Sequence, residues 1–342
     1  MRNYFVLIVS SLLFSNCNIK KQNDLAKQTT NHDFTIAFGS CNNQNKTNVL
    51  WQEIEKNNPD LWIWGGDIIY SDTENMDKMK SDYETQLNQN GYKSLRTKIP
   101  VLATWDDHDY GVNDGGTEFP KKNEAQQLFL DFLGVAKTSE RRNQEGIYYS
   151  KLFKTSKGTI NVILLDTRYF RTALTRAKGK RRYVPNKKGE GTILGKSQWY
   201  WLEQELNSST ADFNIIVSSI QVLSSEHGFE TWGNFPHEIE KLKETIITSK
   251  AKGVLILSGD RHISEFSQTE VPNLPFKLTD FTSSGLTHSY TSYSGEPNTF
   301  RKLKVVNEIS FGVLNFNFEK NFIDLEMRGR NNKLLQKMKQ SY

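Results

Sequence analysis

The chain predicts an α/β (α+β) fold, and three observations carry that expectation. Apolar runs rich in β-branched residues recur along it, stretches of helical periodicity separate several of them, and no linker or composition shift divides residues 34–330. The first run is Thr35-Ile36-Ala37-Phe38, the second Leu61-Trp62-Ile63-Trp64, and the third Val101-Leu102-Ala103-Thr104-Trp105. Asn57-Asn58-Pro59 ends a helix ahead of the second run, because Pro disfavours helical geometry in the residue before it. Helical periodicity follows over 124–133. A fourth run, Asn161-Val162-Ile163-Leu164-Leu165, precedes a helix over 195–206 that places Trp199, Leu202 and Leu206 on one face. Asn214-Ile215-Ile216-Val217, a helix over 236–248 and Gly253-Val254-Leu255-Ile256-Leu257 continue the alternation. Continuous apolar runs of this length suit strands buried on both faces. Residues 311–318 and 322–328 alternate at period two and predict a closing hairpin around Lys320-Asn321, with a polar C-terminal tail over 331–342.

Composition removes several classes. The 342 residues are 36% apolar and 24% charged, which fits neither a multi-span membrane protein nor a disordered chain. Net charge is +5, from 44 basic and 39 acidic residues, so no specific nucleic-acid binding is expected. Two cysteines, Cys17 and Cys41, exclude a disulfide framework. Met1-Arg2-Asn3, an apolar run over 4–14 and Ser15-Asn16-Cys17 read as a secretory signal, too short for the roughly 20 residues a membrane span needs. Residues 1–17 resemble a bacterial lipoprotein signal in which Cys17 becomes the lipid attachment point. Phe14 and Asn16 depart from the usual lipobox, and a plain cleaved signal is the alternative. Residues 18–33 are polar and read as a flexible tether. The expected location is the bacterial periplasm or cell envelope, with membrane attachment through Cys17.

Chemistry gathers where the runs end. They lead into Gly39-Ser40-Cys41, Gly66-Asp67-Ile68-Ile69-Tyr70-Ser71-Asp72, Asp106-Asp107-His108-Asp109, Asp166-Thr167-Arg168, Ser218-Ser219-Ile220-Gln221 and Gly259-Asp260-Arg261-His262. Ligands in open α/β sheets bind beyond the carboxyl ends of strands. Each acid alone has an ordinary reading as a helix cap or turn residue. Several endings that all carry metal-ligand types point together to phosphoryl transfer at a cluster of cations, where a metal-activated hydroxide attacks a phosphate ester. Asp67, Asp107 and Asp260 supply carboxylates; Cys41, Tyr70 and His262 supply softer or nitrogen donors.

These motifs resemble the alkaline phosphatase D (PhoD-like) branch of the calcineurin-like metallophosphatases. Ser40-Cys41 stands in the place of DxH, and Gly66-Asp67-Ile68-Ile69-Tyr70 matches GDxxD with Tyr for the last Asp. Asp106-Asp107-His108-Asp109 matches GNH[DE], and Gly259-Asp260-Arg261-His262 matches GHxH with Asp for the first His. Thr282-Ser283-Ser284-Gly285-Leu286-Thr287-His288-Ser289 and Leu165-Asp166-Thr167-Arg168-Tyr169-Phe170-Arg171 look like that branch too. The resemblance spans about residues 34–330. It implies a four-layer αββα sandwich of the metallophosphatase type, with metals at the strand ends and ferric iron beside calcium. Cys41 and Tyr70 then ligate iron, Asp67 bridges the two ions, and Asp107, Asp260 and His262 complete the cluster. The residues themselves leave zinc or another divalent metal open.

By the same resemblance His108 is the proton donor or phosphate-steadying group; neighbouring Asp109 is expected to orient it and raise its pKa, as a general acid requires. Arg168 and Arg261 are expected on the phosphate oxygens, an ordinary ion pair being the competing reading for each. Asp72, Asp106, Asp166, Asn113, Asp114 and His288 are expected in supporting or turn-forming roles. The basic segment over 176–188 reads as a solvated loop, with attraction of anionic polymers or lipid head groups the alternative. The expected function is an exported, metal-dependent phosphoric ester hydrolase of alkaline phosphatase or phosphodiesterase type, with a phosphate ester substrate and no protein partner implied. Rivals are a phosphodiesterase or phospholipase for wall polymer, lipid or nucleic acid, and a non-catalytic surface-binding lipoprotein with a structural metal site. A Cys17–Cys41 disulfide would overturn both cysteine assignments.

Overall fold

A strand whose residues are all buried must be covered on both faces, and β1 (Phe34–Gly39) is such a strand. In the computed structural model, which describes residues 32–179 and 181–342, it is followed by α1 (Trp51–Glu55), β2 (Leu61–Gly65), α2 (Met76–Asn88), α3 (Asn90–Lys98), β3 (Val101–Thr104), α4 (Asp107–Tyr110) and α5 (Lys122–Phe132). Then come β4 (Tyr149–Lys154), β5 (Thr159–Leu164), β6 (Thr175–Arg176), β7 (Tyr183–Val184), α6 (Gly195–Ser208), β8 (Phe213–Val217), α7 (Pro236–Ser249) and β9 (Val254–Ser258). The chain closes through β10 (Ser264–Thr269), β11 (Leu278–Ser283), β12 (Arg301–Val306), β13 (Ser310–Asn317), β14 (Phe322–Gly329) and β15 (Leu334–Ser341).

Two large mixed sheets result. One has six strands in the order β15-β14-β13-β1-β2-β3; the other has seven in the order β12-β10-β11-β9-β8-β5-β4. Strands β1, β2 and β3 run parallel, as do β5, β8, β9 and β11, while the outer strands pair antiparallel. Alternation of side chains sorts the core. Ile36, Phe38, Leu61 and Ile63 of the first sheet meet Val162, Leu164, Ile215, Val217, Leu255 and Leu257 of the second. Trp62, Trp64 and Ala103 point the other way, onto Trp51, Ile54, Tyr83, Tyr92 and Phe129 of α1, α2, α3 and α5. Ile163, Ile216 and Ile256 do the same against Trp199, Leu202, Leu206, Leu242 and Ile246 of α6 and α7. The expected αββα sandwich is thus present, with each outer helix layer seated on one sheet.

The closing hairpin forms as β13 and β14, with Phe316 opposite Ile323. The expected polar tail over 331–342 does not: β15 pairs with β14, Leu325 opposite Met338. Its lysines made it read as solvent-facing, yet Lys is what a strand at a sheet edge carries to deter further pairing. Leu335 and Met338 meanwhile pack against the core between the sheets. The tether expected up to residue 33 is also shorter at its far end, because the Asp33 N–H donates to the Phe316 carbonyl at 2.8 Å and its Oδ2 accepts from the Phe318 N–H at 2.9 Å. The signal reading, Cys17 included, lies outside the described residues. No helix among the described residues is long and apolar enough to cross a membrane.

Candidate metal centre

The sheets meet at one edge, where Ser40 bridges Ser284 after β1 and β11. The loops after β1, β2, β3 and β9 crowd together there, and two glycines permit it. A Cβ on Gly66 (φ +100°) would stand 2.6 Å from the Asp106 Cβ; one on Gly259 would stand 2.6 Å from Ser40 Oγ and 2.7 Å from the Gly65 carbonyl. The turns that follow hold Cys41, Asp67, Asp260 and His262 at φ of 57°, 50°, 71° and 54°. Left-handed backbone costs about 1–2 kcal/mol at a residue with a Cβ, and strain of this kind gathers at functional sites.

All six residues expected to bind metal come together. Cys41 Sγ donates to Asp67 Oδ2 at 3.4 Å, and the Tyr70 hydroxyl donates to the same oxygen at 3.2 Å. That hydroxyl lies 3.0 Å from His262 Nε2. One donor atom from each of Cys41, Asp67 and His262 falls within 4.8 Å of the others, and so do those of Asp67, Asp107 and His108, and of Asp106, Asp107 and Asp260. Asp67 and Asp107 each fall in two of these groups.

The residues fit cations. Asp67 Oδ1 and Asp106 Oδ2 are buried with no hydrogen-bond partner, a costly state that a bound cation relieves. Burial, then the charges of Asp67 and Asp260, push the Cys41 thiol up; burial, then Asp67, does the same to the Tyr70 phenol. Burial also raises Asp67, against the pull of His108, and burial with the Asp107 charge lifts Asp260 to about 7. So many acids cannot ionise together unless positive charge joins them.

His108 stacks on Tyr70 with ring centroids 4.2 Å apart. Its Nδ1 lies 2.7 Å from Asp72 Oδ2. Burial opposes its protonation, but the Asp67 charge and the Asp72 hydrogen bond push it up to about 11. The expectation that Asp109 orients it is wrong. Asp109 is buried, accepting the Ile68 N–H at 2.9 Å and the Asp106 N–H at 2.5 Å, and so fixes the turn into α4. Arg168 is likewise not available to a substrate. It is fully buried, with Nε 2.6 Å from Asp106 Oδ1 and Nη1 2.6 Å from Glu230 Oε2, and Arg171 joins the same Glu230.

A cavity of about 490 Å³ opens over Asp107, His108, Asp260 and His262, with Arg182 and Arg261 in its wall. Arg261 lies on the Phe229 ring at 4.2 Å and is gripped by Glu296 at 2.9 and 3.0 Å. Asp166 is structural, accepting from Trp105 Nε1, Ile147 N and Arg168 N. His288 packs edge-on to His262 at 4.5 Å. Asn113 and Asp114 line the cavity, and the Asp114 N–H donates to Asp107 Oδ2 at 2.6 Å. The residues that sequence reasoning undervalued are therefore Asp72, Asp106 and Arg182. A cavity of about 400 Å³ at the opposite strand ends, walled by Ile246, Leu274 and Phe276, contains none of these donor groups.

Comparison with known proteins agrees with this architecture. The family model of the PhoD-like phosphatases matches residues 36–338, and the chain belongs to that family. Alkaline phosphatase D of Bacillus subtilis (strain 168) is 24% identical over 277 residues, covering 69% of this chain and 47% of that protein. The chain thus spans about half the length of this relative. The solved structure of PhoD superposes with a TM-score of 0.72 at 18% identity, covering 90% of this chain and 69% of the other. GAP50, the anchor in the inner membrane complex of Plasmodium, gives 0.59 at 15% identity over 90% and 88%. A dimetal phosphatase from Danio rerio gives 0.56 at 12% over 91% and 99%. At such identities the likeness is one of fold, and fold alone does not choose between an anchor and a phosphatase.

Proposed function

We propose that this chain is a metal-dependent phosphoric ester hydrolase, exported and anchored through a lipid at Cys17. The observation that carries the catalytic part is the neighbouring pair Asp67 and Asp107, whose donor atoms fall within 4.8 Å of each other. Cys41 and His262 are grouped around Asp67, and Asp106 and Asp260 around Asp107, beside one cavity. Cys41, Asp67, Tyr70 and His262 would hold one cation and Asp67, Asp107 and Asp260 a second, Asp106 lying beside the latter. Ferric iron in the first position and calcium in the second accord with a thiol, phenol, imidazole and carboxylate set beside an all-carboxylate one. When bound, such cations neutralise the ester and acidify a water.

The chain's own groups supply the rest. Asp72 pins Nδ1 of His108, so Nε2 is the ring nitrogen left to hold a proton for a departing alcohol oxygen. Tyr70, stacked on that ring, limits its rotation. Arg261, braced on Phe229, offers guanidinium donors to phosphate oxygens. The export and anchor readings rest on the pattern of residues 1–17, and the mass of the mature N-terminus tests them.

Elemental analysis, a visible spectrum and an ester panel of phenyl phosphate, bis(p-nitrophenyl) phosphate and a phospholipid test the whole. Iron with calcium, a phenolate charge-transfer band removed by Tyr70→Phe, and turnover of at least one ester are expected. Zinc without such a band rejects the iron assignment. Bound metal with no hydrolysis rejects the enzyme and leaves a binding protein with a structural metal site.

A further inference from the structure

The hairpin β6–β7 contributes to the rim of the cavity but carries none of the candidate metal donors. Its strands pair Thr175 with Val184 and Arg176 with Tyr183. It is fastened on two sides. The N–H groups of Arg182 and Tyr183 both donate to the Gly228 carbonyl, at 2.9 and 3.0 Å, next to Phe229 and Glu230 of the cavity wall. On the other side Asp114 Oδ2 receives Arg182 Nη2 at 2.6 Å and the Tyr183 hydroxyl at 2.5 Å. Asp114, itself left-handed at φ 53°, donates its N–H to Asp107 Oδ2. One residue therefore ties the hairpin to a carboxylate of the metal centre.

This fastening fixes Arg182 in the cavity wall while leaving it accessible. Its side chain is 40% exposed, and Asp114 is its one ion pair among the described residues. Asp114 engages Nη2, which leaves donors of the planar guanidinium fork open to a second anion. The other arginine of the wall differs in exposure: Arg261 is only 8% exposed, its Nη2 held by both oxygens of Glu296. The hairpin also carries Arg176, Lys178 and Arg181, which make no ion pair among the described residues.

We infer that Arg182, held by Asp114, reads a negative charge on the leaving-group side of the substrate. The chain then prefers phosphate esters whose alcohol part carries a second anionic group over esters of neutral alcohols. This rests on the phosphoester reading above, and the test separates the two. Non-hydrolysable probes serve: benzylphosphonate and 4-carboxybenzylphosphonate, titrated calorimetrically into the full chain with its metals at low ionic strength. The carboxylated probe should bind about tenfold tighter, the contribution of one charge-assisted contact. Arg182→Gln should bring the ratio to about one, Arg182→Glu should invert it, and Arg182→Lys should keep it well above one. Arg176→Gln, on the same hairpin but outside the cavity wall, should keep the wild-type ratio.

Equal binding of the two probes by the wild-type chain overturns the inference. So does a ratio untouched by Arg182→Gln, or one lost equally in Arg176→Gln, which would assign the preference to the general field. Binding with the expected ratio but no turnover of the matching phosphate esters defeats only the hydrolase reading. Binding of neither probe overturns both.

Discussion

Two groups of buried charges share the strand ends and differ in how they are balanced. Arg168 and Arg171 lie against Asp106 and Glu230, two cations on two anions, all nearly inaccessible to water. A few ångströms on, Cys41, Asp67, Tyr70, Asp107 and Asp260 form a set of acids with no ion pair of their own among the described residues, on which the charges of His108, Arg168 and Arg261 act without a direct salt bridge. Asp106 sits at the boundary: Oδ1 is held by Arg168 and by Ser219 at 2.7 Å, whereas Oδ2 has no partner. The first network balances its charges within the chain. The second is complete only with cations from outside, and the contrast marks where they belong better than the acid count does.

Breaking the balanced network should have the largest effect. Arg168→Met leaves Asp106 and Glu230 buried without their shared cation, and loss of one partner from a buried pair costs about 3–5 kcal/mol. Denaturant titration should show that loss in metal-loaded and metal-free chain alike. A change under about 1 kcal/mol would mean that water or Arg171 compensates, and the contrast drawn above would fail.

The unbalanced network should show itself through pH instead. In the metal-free chain the Asp260 carboxyl stands at about 7, and Asp109, raised first by burial, at about 8, against 3.8 for the ordinary group. A carboxyl with a raised value in the folded state binds its proton more tightly there than when unfolded. Its contribution is therefore full below about pH 4 and is lost as pH climbs through 7 and 8. Metal-free chain should lose roughly 2–3 kcal/mol between pH 5 and 8 from Asp260 alone, at about 1.4 kcal/mol per unit. Metal-loaded chain should not, because the cation favours the charged form. Parallel denaturation curves with and without chelator check this; equal slopes would break the contrast.

Much of this was legible before any coordinates. Strands buried on both faces favour apolar residues, so six of the seven parallel strands stand out as runs, β11 with its buried Thr279, Asp280 and Thr282 being the exception. The donors follow directly after because the turns at strand ends carry them. Partner choice was less legible. Asp109 is adjacent to His108 in sequence, yet its side chain turns inward to backbone N–H groups, and the carboxylate that reaches the imidazole is Asp72, 36 residues away. Arg168 ends a strand just as Arg261 does, but Arg168 is locked against Asp106 and Glu230 away from the cavity, whereas Arg261 stands in its wall. Helix α3 had little apolar periodicity to offer, with only Tyr92 and Leu95 buried, whereas α2 carries a sparse stripe of Met76, Met79, Tyr83 and Leu87 among polar residues. Strand β15 hid behind its lysines for the reason its edge position needs them.

The pair between His108 and Asp72 lies at the outer margin of the unbalanced set, and it should give the smallest effect. Asp72's side chain is 42% exposed, so water screens its charge, while Asp67 and Asp107 continue to favour the imidazolium after its removal. Asp72→Asn keeps the shape and removes the charge. An acid acts only below its own pKa, and losing a negative neighbour lowers that of an imidazolium. The alkaline limb of kcat should therefore move to lower pH, by less than about one unit, with kcat falling about tenfold and KM little changed. Asp109→Asn should leave the limb in place and lower the melting temperature instead, since its carboxylate serves the turn rather than the ring. If the two variants exchanged these effects, Asp109 would regain the orienting role and the pairing seen between Asp72 and His108 would have no part in proton transfer.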